Sequence, residues 1–268
     1  MTETALAAFS SAIPPAERAI LDEVLVELAE LKRTGDTVQA SVANLKLANG
    51  LRSKLEKIVL DSRYSVALRQ FMRSFTSTGN LLREYFASLN VGFEASKALY
   101  VAVQESNITT TIAGLLGAGM TANFVDPVTD LLQRTIAGGT SYKDLRELLR
   151  RQIVGGGDES GRLAGYAPGW ADDAIHQFQR NYMEAISADL NLEYYLYGGT
   201  VIRTTRPFCQ MKAGKYYSLK EVQGWASRDW AGKIPGTNSQ NIRTYLGGYR
   251  CRHRLIPVSE EIFNRERE

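Results

Sequence analysis

Residues 204–225 read TTRPFCQMKAGKYYSLKEVQGW and residues 247–259 read GGYRCRHRLIPVS, with IPGTN at 234–238 between them. Pro207, Pro235 and the Gly247-Gly248 pair mark turns. Ser218 with Glu221 three residues on forms a capping box, which starts a short helix with Val222 and Trp225 facing inward. Upstream, Tyr194, Tyr195, Tyr197, Thr200, Val201 and Ile202 favour extended structure around Gly198-Gly199, and residues 255–258 read as a last short strand. A unit this small has one core to share. The segment carrying Arg206 and Cys209 is therefore expected to lie beside the one carrying Cys251, Arg252 and His253.

Working outward, Ile175, Phe178, Tyr182, Ile186 and Leu190 recur at three- and four-residue intervals, which predicts a helix from about residue 170 to 190 with one aromatic and aliphatic face. Before it, GGGDESG at 155–161 reads as a linker or mobile loop, because glycines and acids bury nothing. The first 150 residues read as helix. Pro14 and Pro15 suit a first helical turn, and Ile20, Leu21, Val24, Leu25, Leu28 and Leu31 continue it as a stripe that Gly35 closes. Val38, Val42, Leu45, Ala48, Leu51, Leu55 and Ile58 follow a 3.5-residue period, compatible with a coiled-coil seam or with a long helix of a bundle. Ser141 with Asp144 resembles an N-cap, ahead of the buried face Leu145, Leu148, Leu149 and Ile153. The expected fold is mainly α, with long helices N-terminally and a small C-terminal α+β module carrying the short strands. Residues 1–154 form a helical body without sheet, 155–169 a glycine-rich linker or loop, and 170–268 a module led by its long helix.

Composition narrows the function classes. Hydrophobic content of 44% and charged content of 23% are ordinary for a soluble domain. A net charge of +3 does not by itself argue for nucleic acid. Basic residues do cluster late, where Arg243, Arg250, Arg252 and Arg254 stand with no acid between them. Two cysteines make no disulfide framework, and the N-terminal MTETALAAFSSAIPPAER lacks the basic start of a signal peptide. Residues 106–125 carry no charge over about the length of a membrane span. Their threonines, asparagines and glycines predict instead a buried or interfacial helix pair broken near residues 114–119, with no stable membrane span.

The two quoted segments together resemble the C-terminal module of phage minor head (head morphogenesis) proteins of the Mu F type. In those proteins an R-P-x-C segment, a G-K-x-Y turn, a helix with Trp and a terminal G-G-x-x-C-R-H recur in this order. Here the matching residues are Arg206, Pro207, Cys209, Lys215, Trp225, Gly247, Gly248, Cys251, Arg252 and His253, and the resemblance covers roughly residues 172–259. It implies a structural virion protein of a tailed bacteriophage, made in the host cytoplasm and located in the head or at the portal vertex. It implies portal or capsid subunits as partners, a possible homo-oligomer, no cofactor and no catalysis. The rival readings are an internal virion protein that contacts or leaves with packaged DNA through Arg243, Arg250 and Arg254, and a virion-borne enzyme.

Each chemical candidate has a plainer alternative. Cys209, Cys251 and His253 are the soft metal ligands the segments offer. They are one short of the four that structural zinc takes, so no metal is expected. The two cysteines could pair as a disulfide, although a reducing cytoplasm opposes it, or be small buried apolar side chains. A Cys251–His253 dyad is disfavoured, since alternate residues on a strand stand roughly 6–7 Å apart at Cα. Arg206 and Arg252 could hold the module together through Asp172, Asp173 or Glu221. Lys215 lacks the spacing of a phosphate loop.

Overall fold

Apolar residues at helical spacing make residues 2–28 one helix, α1 (Thr2–Leu28), which buries Phe9, Ile13, Ala16, Ile20, Val24 and Leu28. The computed structural model describes residues 2–89, 92–94 and 97–268. Pro14 and Pro15 lie inside α1 rather than at its start. Each removes one backbone bond. The loss is tolerable because Ser11, whose carbonyl loses its donor at Pro15, is exposed to water, while the flanking Ile13 and Ala16 are fully buried.

A two-stranded hairpin follows, β1 (Arg33–Thr34) with β2 (Thr37–Val38), so the expectation of no sheet before residue 154 is corrected. Gly35, read as a helix stop, sits at the first central turn position with φ +60°, as a type II′ turn requires. Ser41 then caps α2 (Val42–Asp61) by accepting from Asn44 N. The buried positions of α2 are Asn44, Ala48, Leu51, Leu55 and Val59, a 3.6-residue period. Val42 is exposed and Val59 is buried where the 3.5-residue register pointed to Ile58, so the pattern is that of a bundle helix rather than a supercoiled seam.

Next come α3 (Arg63–Ser88), α4 (Ala98–Leu115), the one-turn α5 (Ala118–Met120), a π-helical turn at Thr121–Val125 and α6 (Asp126–Ala137). The expected break near residues 114–119 is present between α4 and α5. The π-turn precedes Pro127, whose ring cannot sit under the carbonyl of residue 123 in a regular helix. By length and composition the helical run Ala98–Ala137 could cross a membrane, and 28% of its most apolar stretch is buried. The N-cap bond of α7 (Tyr142–Ile153) is Asp144 N to Ser141 Oγ, 3.0 Å. Residues 155–169, expected to be a linker or loop, instead hold a second hairpin, β3 (Gly155–Gly156) with β4 (Glu159–Ser160), and the first turns of α8 (Arg162–Asp189).

The chain divides into two compact units, residues 1–73 with 110–171 and residues 74–109 with 172–268. In the first, α1, α2, α6 and α7 pack around aliphatic residues, and Phe9 stacks on Phe71 with ring centroids 5.4 Å apart. Tyr142 N, at the start of α7, donates to Asp36 O of the β1–β2 turn at 2.7 Å. The carboxylate of Glu17 lies at the N-terminus of α8, where Ala164 N donates to it at 2.9 Å, a placement the helix dipole favours. Burial nevertheless pushes the Glu17 carboxyl up to about 7, against the opposing backbone hydrogen bonds.

In the second unit, Phe75, Phe178 and Tyr182 form an aromatic ladder with centroids 5.1 and 5.5 Å apart. Its sheet has β5 (Tyr194–Gly198) in the centre, antiparallel to both β6 (Tyr216–Ser218) and β7 (Arg254–Pro257). Tyr195 and Tyr197 point from β5 into the core, as the two-residue period of a strand dictates. Three short helices lie between β5 and β7, namely α9 (Pro207–Lys212), α10 (Leu219–Gly224) and α11 (Ile242–Tyr245), and α12 (Glu260–Arg265) ends the chain. The Ser218–Glu221 capping box is present in full. With 67% helix and 8% strand among the described residues, the protein is mainly α with a small C-terminal α+β part.

Candidate functional site

Pro207 occupies the first turn of α9, and that helix turns Phe208 and Cys209 inward. Gly247 and Gly248 let the chain reverse after α11, and residues 251–253 run into β7. The two quoted segments therefore meet as expected, with Cys209 Sγ 3.8 Å from Cys251 Sγ. His253 Nδ1 is 3.9 Å from Cys251 Sγ, so the strand-spacing argument against their contact fails; residues 251–253 precede the regular strand and their side chains converge. Both cysteines are free. Cys209, Cys251 and His253 are 2%, 3% and 4% exposed, which closes them to a dissolved substrate.

The surroundings of the sulfurs are specific. Tyr197 Oη donates to Cys209 Sγ at 3.2 Å, and the His253 ring lies 5.4 Å from the Tyr197 ring. The buried Arg180, from α8, donates to Thr244 O at 2.7 Å and to Cys251 O. A Cβ on Gly247 would run into Cys209 Sγ and stand 3.0 Å from Cys251 Sγ. Gly199, at φ +145°, leaves room for the His253 ring, which a Cβ would approach to 2.7 Å. The sulfurs share a proton unequally. The Cys209 hydrogen bond, with His253 and the Arg180 guanidinium, holds the Cys251 thiol well below its usual range, while the Cys251 bond and burial push Cys209 up.

Trp225, 4% exposed, meets Tyr217, Tyr197 and Phe208 edge-on at 4.8, 5.8 and 5.9 Å. Lys212 is buried with its ammonium over the Phe208 and Trp225 rings at 4.3 and 4.5 Å. Lys215 of the G-K-x-Y turn is exposed. Its contribution is through the backbone, since its carbonyl accepts from Tyr197 N at 2.9 Å.

The arginines have separate duties. Arg206 donates to Tyr249 O at 2.6 Å, a carbonyl rather than the expected carboxylate. Gly248 packs directly on the backbone of Gly232, and Gly232 lies against the Arg206 guanidinium. Arg252 does pair with Asp172, at 3.0 Å, although its side chain is half exposed. Of the three arginines expected at phosphate, Arg243 is held by Glu184 at 2.6 Å and Tyr195 Oη at 3.1 Å. Arg254 donates to Gln179 at 3.3 Å. Arg250 is exposed, in left-handed backbone at φ +54°.

Sequence reasoning missed Tyr197 as a partner of the thiols, Arg180 as the buried cation beside them, and Lys212. Arg180 left no periodic signal: two positions after Phe178 in α8, it lies off the aromatic face. No family model, curated protein or solved structure compared with this chain matches it.

Proposed function

We propose that this chain is a structural virion protein of a tailed bacteriophage, a minor head protein that docks on portal or capsid subunits during head morphogenesis. The reading rests on the ordered R-P-x-C, G-K-x-Y, Trp and G-G-x-x-C-R-H segments. One observation carries it further: these segments converge on a single sealed core. Cys209, Trp225, Gly247, Cys251 and His253 are buried together, and Arg206 and Arg252 tie loops to the same unit. Catalysis by a thiol needs substrate access and a base within hydrogen-bond reach; burial of all three groups favours a scaffold. The internal bonds of Arg243 and Arg254 likewise favour docking over phosphate contact.

The test is co-expression with portal and major capsid proteins from the same genome, followed by purification of heads. The protein is expected at a fixed copy number per particle, and to copurify with the portal when the capsid protein is omitted. Heads of normal yield and composition that lack it would contradict the reading. Binding to duplex DNA that falls steeply with added salt, without portal association, would favour the internal DNA-contacting protein.

A further inference from the structure

A pair of thiols and an imidazole facing one another in a closed core have more in common than burial. One ligand atom from each of Cys209, Cys251 and His253 lies within 4.8 Å of the other two. With metal–sulfur bonds of 2.3 Å, two thiolates at the corners of a tetrahedral zinc site stand about 3.8 Å apart. The observed Sγ–Sγ separation is 3.8 Å. A disulfide needs about 2.0 Å, so the sulfurs stand at the spacing of two ligands and not of a bond.

The imidazole points the same way. Its Nδ1 faces Cys251 Sγ at 3.9 Å, and its buried Nε2 has no hydrogen-bond partner among the described residues. A metal at Nδ1 would replace that long sulfur contact with a bond; the unpaired Nε2 is a separate feature of the ring and would remain so. The glycines at 247 and 199 keep the space around the three groups free of side chains.

From this geometry we infer that Cys209, Cys251 and His253 Nδ1 form a binding site for a zinc-class divalent cation, with the Tyr197 hydroxyl steadying the Cys209 sulfur. Two thiolates neutralise the cation, so the filled site adds no net charge to the core. Three protein ligands leave one position over; Tyr197 Oη, 3.2 Å from Cys209 Sγ, donates to that ligand sulfur. The cation would clamp α9 to the start of β7. That is a structural role for the module, whatever surface the module docks on. The geometry brings three ligands together without a C-x-x-C pair, and the ligand count stays one short of a closed four-protein-ligand site.

The experiment uses the full chain, purified under reducing conditions, with zinc content measured after gel filtration and Co(II) added to chelator-treated protein. One equivalent of zinc per chain is expected. Co(II) should give the thiolate-to-metal absorption and intense visible bands of a tetrahedral sulfur-ligated site. Tyr197→Phe should weaken Co(II) binding by roughly 10–100-fold, as loss of a supporting hydrogen bond does, and Cys209→Ser, Cys251→Ser and His253→Asn by more. Wild-type protein that binds no stoichiometric zinc and gives only the pale spectrum of hydrated Co(II) would overturn the proposal, as would a Cys209–Cys251 disulfide in its place. The wild-type result decides the matter even if a ligand variant fails to fold.

Discussion

Along α1, Ile13, Ala16, Ile20, Val24 and Leu28 fill one buried stripe, and each has a neighbour of the same kind a turn away. Around Cys209, by contrast, Gly247, Tyr197, His253 and Trp225 each hold a place that few other residue types fit. The helical unit is specified redundantly, by a period. The C-terminal part is specified by single residues brought together from distant segments. Substitutions of the same kind should therefore have different consequences in the two regions.

The largest effect is expected from Trp225→Ala. It removes an aromatic ring packed against Tyr197, Phe208 and Tyr217 and should cost about 3–5 kcal/mol, read as a drop in the denaturant midpoint. Leu148, expected on the buried face of α7, is exposed instead, and Leu148→Ala should fall within about 0.5 kcal/mol of wild type. Equal losses at the two sites would break the comparison.

Glu17 gives the helical unit one single-residue feature of its own. Its folded carboxyl titrates near 7, raised by burial from 4.5, so the folded chain retains a proton that the unfolded chain has released. Stability from this group is accordingly greatest at and below pH 4.5. It falls as pH rises to about 7, by at most about 3 kcal/mol, and then levels. Glu17→Gln should flatten this slope in melts between pH 5 and 8. An unchanged slope would remove Glu17 as its source.

Glycine substitutions should differ in sign. Gly247→Ala drives a methyl group into the sulfurs and is expected to destabilise by about 1–3 kcal/mol. Gly50 lies in α2 with open space where its Cβ would be, so Gly50→Ala should stabilise by about 0.5–1 kcal/mol. Thermal melts of the two variants check both signs.

What could be read in the sequence follows the same division. The helices were legible because periodic burial is a local signal, and so were the caps at Ser141 and Ser218, whose partners lie three residues away. Helix ends were less so. Pro14 and Pro15 look like a start but are carried within α1 by the apolar residues on both sides. Both hairpins were hidden by glycines that read as a stop or a linker, although Gly35-Asp36 and Gly157-Asp158 share one turn chemistry, with φ +60° at each glycine. At the candidate site, the approach of the two cysteine segments was legible from the size of the module. The roles of Tyr197 and Arg180 were not, because their partners are set by tertiary contacts 12 and 71 residues away.

The central claim is that the thiols belong to a closed core and not to an open reactive cleft. Alkylation of the folded chain with iodoacetamide, followed residue by residue by mass spectrometry, tests it most directly. Cys209 and Cys251 should both remain unmodified in native buffer at neutral pH and react only when denaturant unfolds the module. Rapid modification of Cys251 in the folded protein, at a rate matching an exposed low-pKa thiolate, would contradict the account and restore the enzymatic reading.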